Sequence, residues 1–274
     1  MKLSPYTYIN ANLSSDRGIT AAKLVEMVST FAHAQGISRV DLSNSPITMS
    51  SSSRGGFGGY GFGGGRGDRV DDDTTGVLAL LHGMQASQTV GELALSNCGI
   101  GPASLSILAP IVTCVALRRL DVSKNKIGVA GAKALVSMLP RSNIATLVFG
   151  PKATMLRLQV IDATLALQPE PQATVSTCVT VDFSKQELGP AELIIIAWWL
   201  SPESAAGLEV VDMSGNPISG AGKQYSNSKT WDKDIDADLV GVTALSKALP
   251  GSRIKALTLS ECGLGPKSIA TACR

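Results

Sequence analysis

The residues from Leu117 to Pro140 combine a strand pattern with a helix pattern. The first apolar residues have the spacing of a short strand whose alternate side chains point inward: Leu117, Leu120 and Val122. The next ones recur at three and four residues, the stripe of a one-sided helix: Ala132, Leu135 and Leu139. Pro140 ends the helix pattern. A unit of about 27 residues cannot bury its apolar faces alone, so the pattern predicts further copies that stack on it.

Seven further copies of this pattern occur along the chain. Aligned on the apolar pair, the predicted strands are Tyr6-x-Tyr8, Val40-x-Leu42, Leu93-x-Leu95, Leu120-x-Val122, Leu147-x-Phe149, Val181-x-Phe183, Val211-x-Met213 and Leu257-x-Leu259. The pairs at 93, 120 and 147 are 27 residues apart, and those at 181 and 211 are 30 apart. A strand and a helix that recur at this period are typical of an array of stacked repeats.

One turn position is the most specific feature of the copies. Asn125 and Asn216 occupy it in two copies, and Cys98 and Cys262 occupy it in two others. The departures at the same position are Ala11, Ser45 and Gln186. A small side chain is needed there to hydrogen-bond or pack under the turn, which gives the two cysteines a structural role.

These features resemble the leucine-rich repeat of the ribonuclease-inhibitor subtype, LxxLxLxxN/CxL followed by GxxxL and a helix. The resemblance covers nearly the whole chain. It implies an α/β solenoid, a horseshoe with parallel strands on the concave face and helices on the convex face. We expect residues 1–274 to form a single solenoid of about eight repeats. The copy at Leu147 fits the pattern poorly, so the segment 150–176 is predicted to be irregular.

A longer repeat of 171 residues is superimposed on the short one. RVDLSNSPIT at 39–48 matches VVDMSGNPIS at 210–219, and the helix and strand patterns that follow match as well. Both copies carry an insertion between the turn and the helix, at 49–75 and 221–239. We expect both insertions to leave the solenoid at the same rim, where loops can lengthen without disturbing the stack.

Composition narrows the class of protein. Apolar residues make up 44% of the chain and aromatic residues 4%, so the core must be built from Leu, Ile, Val and Ala. A net charge of +2 argues against unaided binding of nucleic acid over the whole surface. The longest apolar run, Leu193 to Leu200, is too short to span a bilayer, and the N-terminus has no signal-peptide run. The five cysteines form no CxxC pair, which indicates an intracellular, cytoplasmic location.

No catalytic triad, thiolate–histidine pair or cluster of metal ligands is recognisable in the sequence. We therefore expect neither enzyme activity nor a cofactor. The repeat pattern reaches Arg274 inside what should be the last helix, without a polar cap. We expect further repeats or another chain to cover this end.

The first insertion contains the Gly-rich stretch RGGFGGYGFGGGRG at residues 54–67. It looks like the RGG-type segments of RNA-binding proteins, in which arginines contact phosphate and rings stack on bases. The residues that would do so here are Arg54, Phe57, Tyr60, Phe62 and Arg66. The alternative is a flexible surface loop.

Both insertions end in aspartates, and those of the second insertion alternate in the way that suggests calcium. They are Asp71, Asp72 and Asp73 in the first and Asp232, Asp234, Asp236 and Asp238 in the second. An EF-hand loop requires Gly at position six and Glu at position twelve, where Ala237 and Thr243 stand. We therefore predict that these carboxylates cap the helices that follow.

The concave face would present the residues that lie between the apolar pairs. Four of them are aspartates and form an acidic stripe: Asp41, Asp121, Asp182 and Asp212. Arg119 and Lys124 are basic neighbours of this stripe. This stripe could receive a basic partner, or these aspartates could be an ordinary feature of such repeats.

The helix Pro190 to Leu200 is apolar on all sides. Its residues beyond the core stripe are Ile194, Ile195, Trp198 and Trp199. A surplus of this size indicates a contact with another protein or a membrane surface. Trp is a favoured residue at protein contacts. The alternative is that segment 150–176 folds back over the helix.

The preferred functional hypothesis is a non-catalytic protein–protein interaction scaffold or a structural subunit of a larger assembly. An RNA-associated protein that uses the Gly/Arg-rich insertion is the first alternative. A GTPase regulator is the second, and it rests on fold analogy with the Ran GTPase-activating proteins.

Overall fold

The computed structural model describes residues 7–10, 20–33, 37–48, 70–158, 179–201, 208–223, 231 and 233–273. The chain divides into two compact units, residues 1–149 and residues 150–274. In both units short parallel strands alternate with helices, as the sequence pattern predicts.

The first unit contains five parallel strands in sequence order. The strands are β1 (Thr7–Asn10), β2 (Ile37–Asp41), β3 (Glu92–Ala94), β4 (Arg119–Asp121) and β5 (Thr146–Phe149). The helices are α1 (Ala21–His33), α2 (Thr75–Ala86), α3 (Pro102–Leu108) and α4 (Gly128–Met138), and 3-10 turns follow α3 (Ala109–Thr113) and α4 (Leu139–Arg141). From β2 to β5 the same repeat position is paired across the sheet, as in Leu93 with Leu120 and Leu120 with Leu147.

The second unit contains β6 (Thr154–Arg157), β7 (Val179–Asp182), β8 (Leu208–Asp212) and β9 (Ala256–Thr258). Its helices are α5 (Pro190–Trp199), α6 (Val240–Ala248) and α7 (Pro266–Ala272), with a 3-10 turn at Leu249–Gly251. Strands β7, β8 and β9 pair in parallel. A strand lies at each of the eight predicted positions, within one or two residues. The additional strand, β6, lies in the segment that was expected to be irregular.

The core of each unit is built from the inward positions of the strands and the apolar stripes of the helices. In the first unit the buried strand and turn residues include Val40, Leu42, Leu93, Leu95, Leu120, Val122, Leu147 and Phe149. In the second unit they include Phe183, Val211, Met213 and Ile218. The alternation of apolar and polar residues therefore predicts correctly which strand positions face the helices.

Two glycines set the distance between neighbouring helices. A Cβ atom added at Gly76 of α2 would lie 2.7 Å from the Cα atom of Ala21 in α1. A Cβ atom added at Gly241 of α6 would lie 2.7 Å from the carbonyl oxygen of Pro190 in α5. Both contacts are with backbone atoms, so at these two points the helices pack too closely for any side chain.

The residue before the turn position has a left-handed backbone in six repeats. These residues are Asn44, Asn97, Lys124, Lys185, Gly215 and Glu261, with φ between +54° and +73°. Only one of them is glycine, although the conformation carries a steric cost for every other residue type.

Replacing Lys124 with glycine is expected to raise the free energy of unfolding of the first unit by about 1 kcal/mol, because glycine adopts positive φ without that cost. Urea unfolding followed by circular dichroism measures the change. Lys133→Gly, at an exposed site within α4, is the matched control. This control should lower the free energy of unfolding by about 1 kcal/mol, because glycine is a poor helix former. Equal destabilisation by both changes would contradict the prediction.

Candidate protein-binding surface

At four turns a side chain beneath the turn bonds to the preceding repeat. The Asn125 amide donates to the carbonyl oxygens of Val122 in its own repeat (3.0 Å) and Leu95 in the preceding one (2.7 Å). Its Oδ1 atom accepts from the backbone N–H groups of Cys98 (2.9 Å) and Ile100 (3.1 Å). One side chain therefore satisfies four backbone groups across a repeat boundary.

Asn216 performs the same role in the second unit, where it is fully buried. Its amide donates to the carbonyl oxygens of Phe183 (2.8 Å) and Met213 (2.7 Å). Its Oδ1 atom accepts from the backbone N–H of Leu188 at 3.0 Å. The expectation that this position hydrogen-bonds under the turn is confirmed.

The cysteines at this position are donors rather than reactive groups. The thiol of Cys98 donates to the carbonyl oxygen of Leu42 at 3.0 Å, and that of Cys262 donates to Met213 at 3.1 Å. Burial raises the pKa of the Cys98 thiol to about 12. A thiol with so high a pKa stays protonated at neutral pH and is a poor nucleophile.

Each aspartate of the predicted acidic stripe holds the turn that follows it. The Oδ1 atom accepts from the backbone N–H two residues further on: Asp41 from Ser43 (3.0 Å), Asp121 from Ser123 (2.9 Å), Asp182 from Ser184 (2.7 Å) and Asp212 from Ser214 (2.8 Å). The hydrogen bonds from Ser184 lower the pKa of Asp182. The four carboxylates are therefore held in fixed positions by the backbone of the turns that follow them.

In the first unit, basic side chains accompany these carboxylates. Arg39 lies 3.1 Å from a carboxylate oxygen of Asp41 and 3.6 Å from one of Glu92. Burial raises the pKa of Asp41, but the hydrogen bonds from Ser43 and Arg39 lower it by more, so the net shift is downward. Arg119 is half-buried beside Glu92 on the adjacent strand, and Lys124 is exposed at the following turn. The residues of the first unit therefore carry charges of both signs on this face.

In the second unit two carboxylates lie side by side on the corresponding face. Asp182 of β7 and Asp212 of β8 are direct register partners, and Thr258 of β9 follows them. Asp182 is exposed and Asp212 half-buried. Among the residues described, neither carboxylate forms an ion pair. Two carboxylates on neighbouring strands repel each other, and the Lys185 charge offsets only part of this at Asp182, so a further positively charged group would relieve the repulsion.

The apolar helix α5 is more enclosed than its sequence suggests. Ile194 and Ile195 are buried, whereas Trp198 and Trp199 are half-buried. The indole N–H of Trp199 donates to the carbonyl oxygen of Arg157 in β6 at 3.0 Å. The segment after residue 150 thus contacts this helix, as the alternative interpretation of its sequence anticipated.

Four of the seven aspartates that end the insertions cap helices, two of them in the next repeat. Asp232 lies outside the described residues. Asp73 and Asp238 accept from the backbone N–H groups of Thr75 and Val240, at the starts of α2 and α6, both at 2.9 Å. Helix capping by these acids is therefore confirmed.

Asp71 reaches further along the fold, to the start of α3. Its carboxylate accepts from the backbone N–H groups of Gly101 (2.9 Å), Ala103 (2.8 Å) and Ser104 (3.1 Å). The sequence signal for this contact is weak, because the acceptor precedes its donors by about 30 residues rather than by two or three.

Asp236 makes the same contacts at the start of α7. It accepts from the backbone N–H groups of Gly265 (3.0 Å), Lys267 (2.9 Å) and Ser268 (3.1 Å), and from the Ser268 hydroxyl. Desolvation raises the pKa of Asp236, but the hydrogen bonds from Ser268, Gly265 and Lys267 lower it by more, so the net shift is downward. Asp71 and Asp236 occupy matching positions at the ends of the two insertions. The sequence alone could therefore have indicated that both make the same contact.

Replacing Asp236 with asparagine is expected to lower the melting temperature of the second unit at pH 7. A carboxylate whose pKa is depressed on folding adds stability above its unfolded pKa, about 3.9, and loses it as pH falls through the folded pKa. The difference between parent and variant should therefore shrink below about pH 4. Thermal unfolding between pH 7 and pH 2.5 measures it. Asp234→Asn, at an exposed neighbour, should keep the parent's pH dependence, and a parallel loss in both variants would contradict the prediction.

The second insertion folds against its own repeat. Trp231 donates its indole N–H to the carbonyl oxygen of Gly215 at 2.9 Å, and the Lys223 ammonium lies 4.7 Å from the centre of its ring. The Gly-rich residues of the first insertion, from Arg54 to Arg66, lie outside the described residues.

Two features are absent from the described part of the chain. No group of three or more potential ligands there could hold a metal ion. None of the helices described is both long enough and apolar enough to cross a membrane.

Comparisons with known proteins agree with the repeat pattern. A family model described as Leucine Rich repeat matches residues 113–136. Ribonuclease inhibitor from Sus scrofa is 25% identical over 217 residues, which cover 73% of this chain and 45% of that protein. The chain thus spans less than half the length of this relative.

One solved structure that aligns with part of the chain is leiomodin-1 actin-binding site 2. It aligns with a TM-score of 0.40 and 15% identity over 52% of this chain and 69% of that chain. The period of the repeats, the hydrogen bonds beneath their turns and the two sequence matches show that the chain contains leucine-rich repeats and is similar to ribonuclease inhibitor.

Proposed function

We propose that this chain is a non-catalytic protein-binding scaffold, a structural subunit of a larger assembly inside the cell. Its repeats would form a continuous horseshoe-shaped solenoid with the strands on the concave face. The free thiols of the four cysteines described are consistent with a reducing compartment. Leucine-rich-repeat proteins generally bind other proteins, which supports the proposal at the level of the family.

The observation that carries the proposal is the pair Asp182 and Asp212 on adjacent strands. Each carboxylate is fixed through one oxygen by a backbone N–H of the following turn. A partner therefore meets acceptors whose positions are already set, at little cost in side-chain entropy. The partner that fits is a protein segment with Lys or Arg side chains at a similar spacing. In the first unit Asp41 and Asp121, with Arg119 and Lys124, would form a contact of their own with charges of both signs.

The experiment neutralises this pair without disturbing the turns. In Asp182→Asn/Asp212→Asn the amide oxygen can still accept the turn hydrogen bond, while both charges are lost. Parent and variant would be cross-linked in native extract, and the captured proteins quantified by mass spectrometry. We expect the main basic partner to be recovered at least about tenfold less with the variant, and recovery with the parent to fall as salt rises.

A matched control removes two carboxylates away from the strands. Asp72→Asn/Asp234→Asn changes two exposed residues of the insertions by the same total charge. Parent and control should capture the same partners in the same amounts. Equal recovery by all three proteins at every salt concentration would contradict the proposed function.

A second contact is proposed at the outer end of α5. Trp198 and the accessible part of Trp199 are half-buried, and Ile194 and Ile195 would support them from beneath. The rings of Phe183 and Trp199 pack edge to face, with 6.0 Å between their centroids, and this contact holds the indole in place. Trp198→Ala should weaken capture of a partner, and Val115→Ala, at another exposed apolar residue, should not.

The alternative of RNA association depends on residues outside those described. It predicts salt-dependent RNA binding that disappears when residues 54–67 are deleted. A GTPase-regulating role predicts faster GTP hydrolysis by a partner GTPase. Both assays use the same purified chain as the capture experiment.

A further inference from the structure

Strands β2 and β8 are matching elements of the 171-residue repeat and have the same surroundings. Arg39 and Asp41 of β2 correspond to Val210 and Asp212 of β8. The two strands have the same order of buried and half-buried residues. Each pairs in parallel with the strand before and the strand after it, and the pairing with the strand before shows the same irregularity. The two aspartates can therefore be compared directly, each within its own unit.

The two aspartates hold their turns alike but differ at the second carboxylate oxygen. The Oδ1 atom of Asp41 accepts from the backbone N–H of Ser43 at 3.0 Å, and that of Asp212 accepts from Ser214 at 2.8 Å. Arg39 donates through Nη2 to the Oδ2 atom of Asp41 at 3.1 Å. Within the part of the chain that the structure describes, no group bonds to the Oδ2 atom of Asp212. One carboxylate is thus paired inside its own unit, and the other is open.

The difference follows from one residue of each strand. Arg39 also approaches Glu92 of the next strand, with 3.6 Å between Nη1 and a carboxylate oxygen, so its guanidinium contacts two carboxylates. The side chain of Val210 has no charge and cannot do this. Its register partners are Thr180 and Ala256, which are short, neutral and exposed. In the second unit, short neutral side chains therefore lie beside the open carboxylate, where the first unit has an arginine and a glutamate.

We propose that an arginine of the partner protein lies over Val210, in the place that Arg39 holds in the first unit. Its guanidinium binds Asp212 of the same strand and Asp182 of the adjacent strand. Arg39 occupies Asp41 from within the chain and thereby keeps the first unit from binding the same arginine. The residue at this strand position therefore decides which of the two units binds. This inference rests on the proposed function and specifies the group that the strand-face carboxylates recognise.

Arginine fits this place better than lysine does. A guanidinium is planar and directs several N–H donors outward, so it can bind two carboxylates at once, as Arg39 does with Asp41 and Glu92. The ammonium group of lysine is a compact, strongly hydrated point charge. A partner segment with arginine should therefore bind more tightly than the same segment with lysine.

The direct test uses a short synthetic peptide with arginines at two alternate positions, and the same peptide with lysines. The backbone N–H groups of Ser214 and Ser43 report on the two sites, because they donate to Asp212 and Asp41. In the parent, the arginine peptide should shift the NMR signal of the Ser214 amide and leave that of Ser43 unchanged. The lysine peptide should bind at least about fivefold more weakly.

Two substitutions exchange the residues that differ between the strands. Val210→Arg supplies Asp212 with an arginine from its own strand and should weaken binding of the arginine peptide at least about tenfold. Arg39→Val should open the first unit, so that the peptide also shifts the signal of Ser43. This second result is a gain of binding, which misfolding cannot imitate. Val210→Met is the matched control, since its side chain is longer but uncharged, and it should bind as the parent does.

Unchanged binding by Val210→Arg would overturn the inference, and so would an unmoved Ser43 signal in Arg39→Val. A parent whose Ser214 signal does not respond to the arginine peptide, or responds equally to both peptides, would overturn it as well. Capture from extract separates this failure from failure of the proposed function. Equal recovery by the parent and Asp182→Asn/Asp212→Asn contradicts the proposed function. If those two differ and Val210→Arg recovers as much partner as the parent, only the inference fails.

Discussion

Replacing Asn216 with alanine is expected to lower the free energy of unfolding of the second unit by about 3 kcal/mol. The side chain is fully buried and bonds to the carbonyl oxygens of Phe183 and Met213 and the backbone N–H of Leu188. Alanine leaves these groups unpaired where water has little access, and each unpaired group costs about 1–3 kcal/mol. Partial relaxation keeps the total below the sum of the separate costs.

Denaturant unfolding at several wavelengths, fitted for the second unit, measures this loss. Gln186→Ala is the matched control, because Gln186 occupies the same turn position in the preceding repeat. That side chain is half-buried and donates one long hydrogen bond, 3.3 Å, to Ser184. We expect it to cost less than about 1 kcal/mol. A similar loss in both variants would contradict the role given to Asn216.

Replacing Gly241 with alanine is expected to lower the free energy of unfolding of the second unit by about 2–3 kcal/mol, against the usual effect of this change in a helix. Alanine would normally stabilise a helix relative to glycine by about 1 kcal/mol. Here the added methyl group would lie 2.7 Å from the carbonyl oxygen and 2.9 Å from the Cα atom of Pro190. Helices α5 and α6 must move apart, and the buried residues between them lose contact.

The control for this prediction is Gly131→Ala. Its methyl group would lie 3.0 Å from the Cβ atom and 3.1 Å from the Cδ2 atom of Leu105, so a smaller shift of the neighbouring helix relieves the contact than at Gly241. We expect a smaller destabilisation at Gly131, with part of it offset by helix propensity. Gly76→Ala should resemble Gly241→Ala, since its methyl group would lie 2.7 Å from the Cα atom of Ala21. Stabilisation by Gly241→Ala would disprove the close approach.

The positions of the strands could be predicted from the sequence because each strand has one buried and one open face. Side chains at alternate positions must face the helices, as those of Leu93 and Leu95 and of Leu120 and Val122 do. Each strand therefore alternates between apolar and polar residues. Strand β6 carries the same kind of alternation, with Leu156 buried and Met155 exposed. It occurs outside the period, however, so the repeat pattern did not predict it.

The surroundings of α5 could be predicted only in part. Its composition shows that the helix must be buried on more than one side. The residue that covers the helix could not be predicted, because the hydrogen bond between Trp199 and Arg157 follows from no repeat in the sequence. The aspartates Asp71 and Asp236 illustrate the same limit, because their donors lie one repeat further along the chain.

Both ends of each insertion are fixed to a single short stretch of backbone. The Thr48 hydroxyl donates to the carbonyl oxygen of Gly99 at 2.7 Å, and Asp71 accepts from the N–H of Gly101. The second insertion is fixed in the same way, by Ser219 to Gly263 and by Asp236 to Gly265.

The two anchors of an insertion therefore stay a few ångströms apart whatever the length of chain between them. Doubling a flexible loop adds only about 0.6 kcal/mol of closure entropy. These two places are consequently natural insertion points, where a fluorescent protein or an affinity tag could be added between the anchors without loosening the repeats on either side.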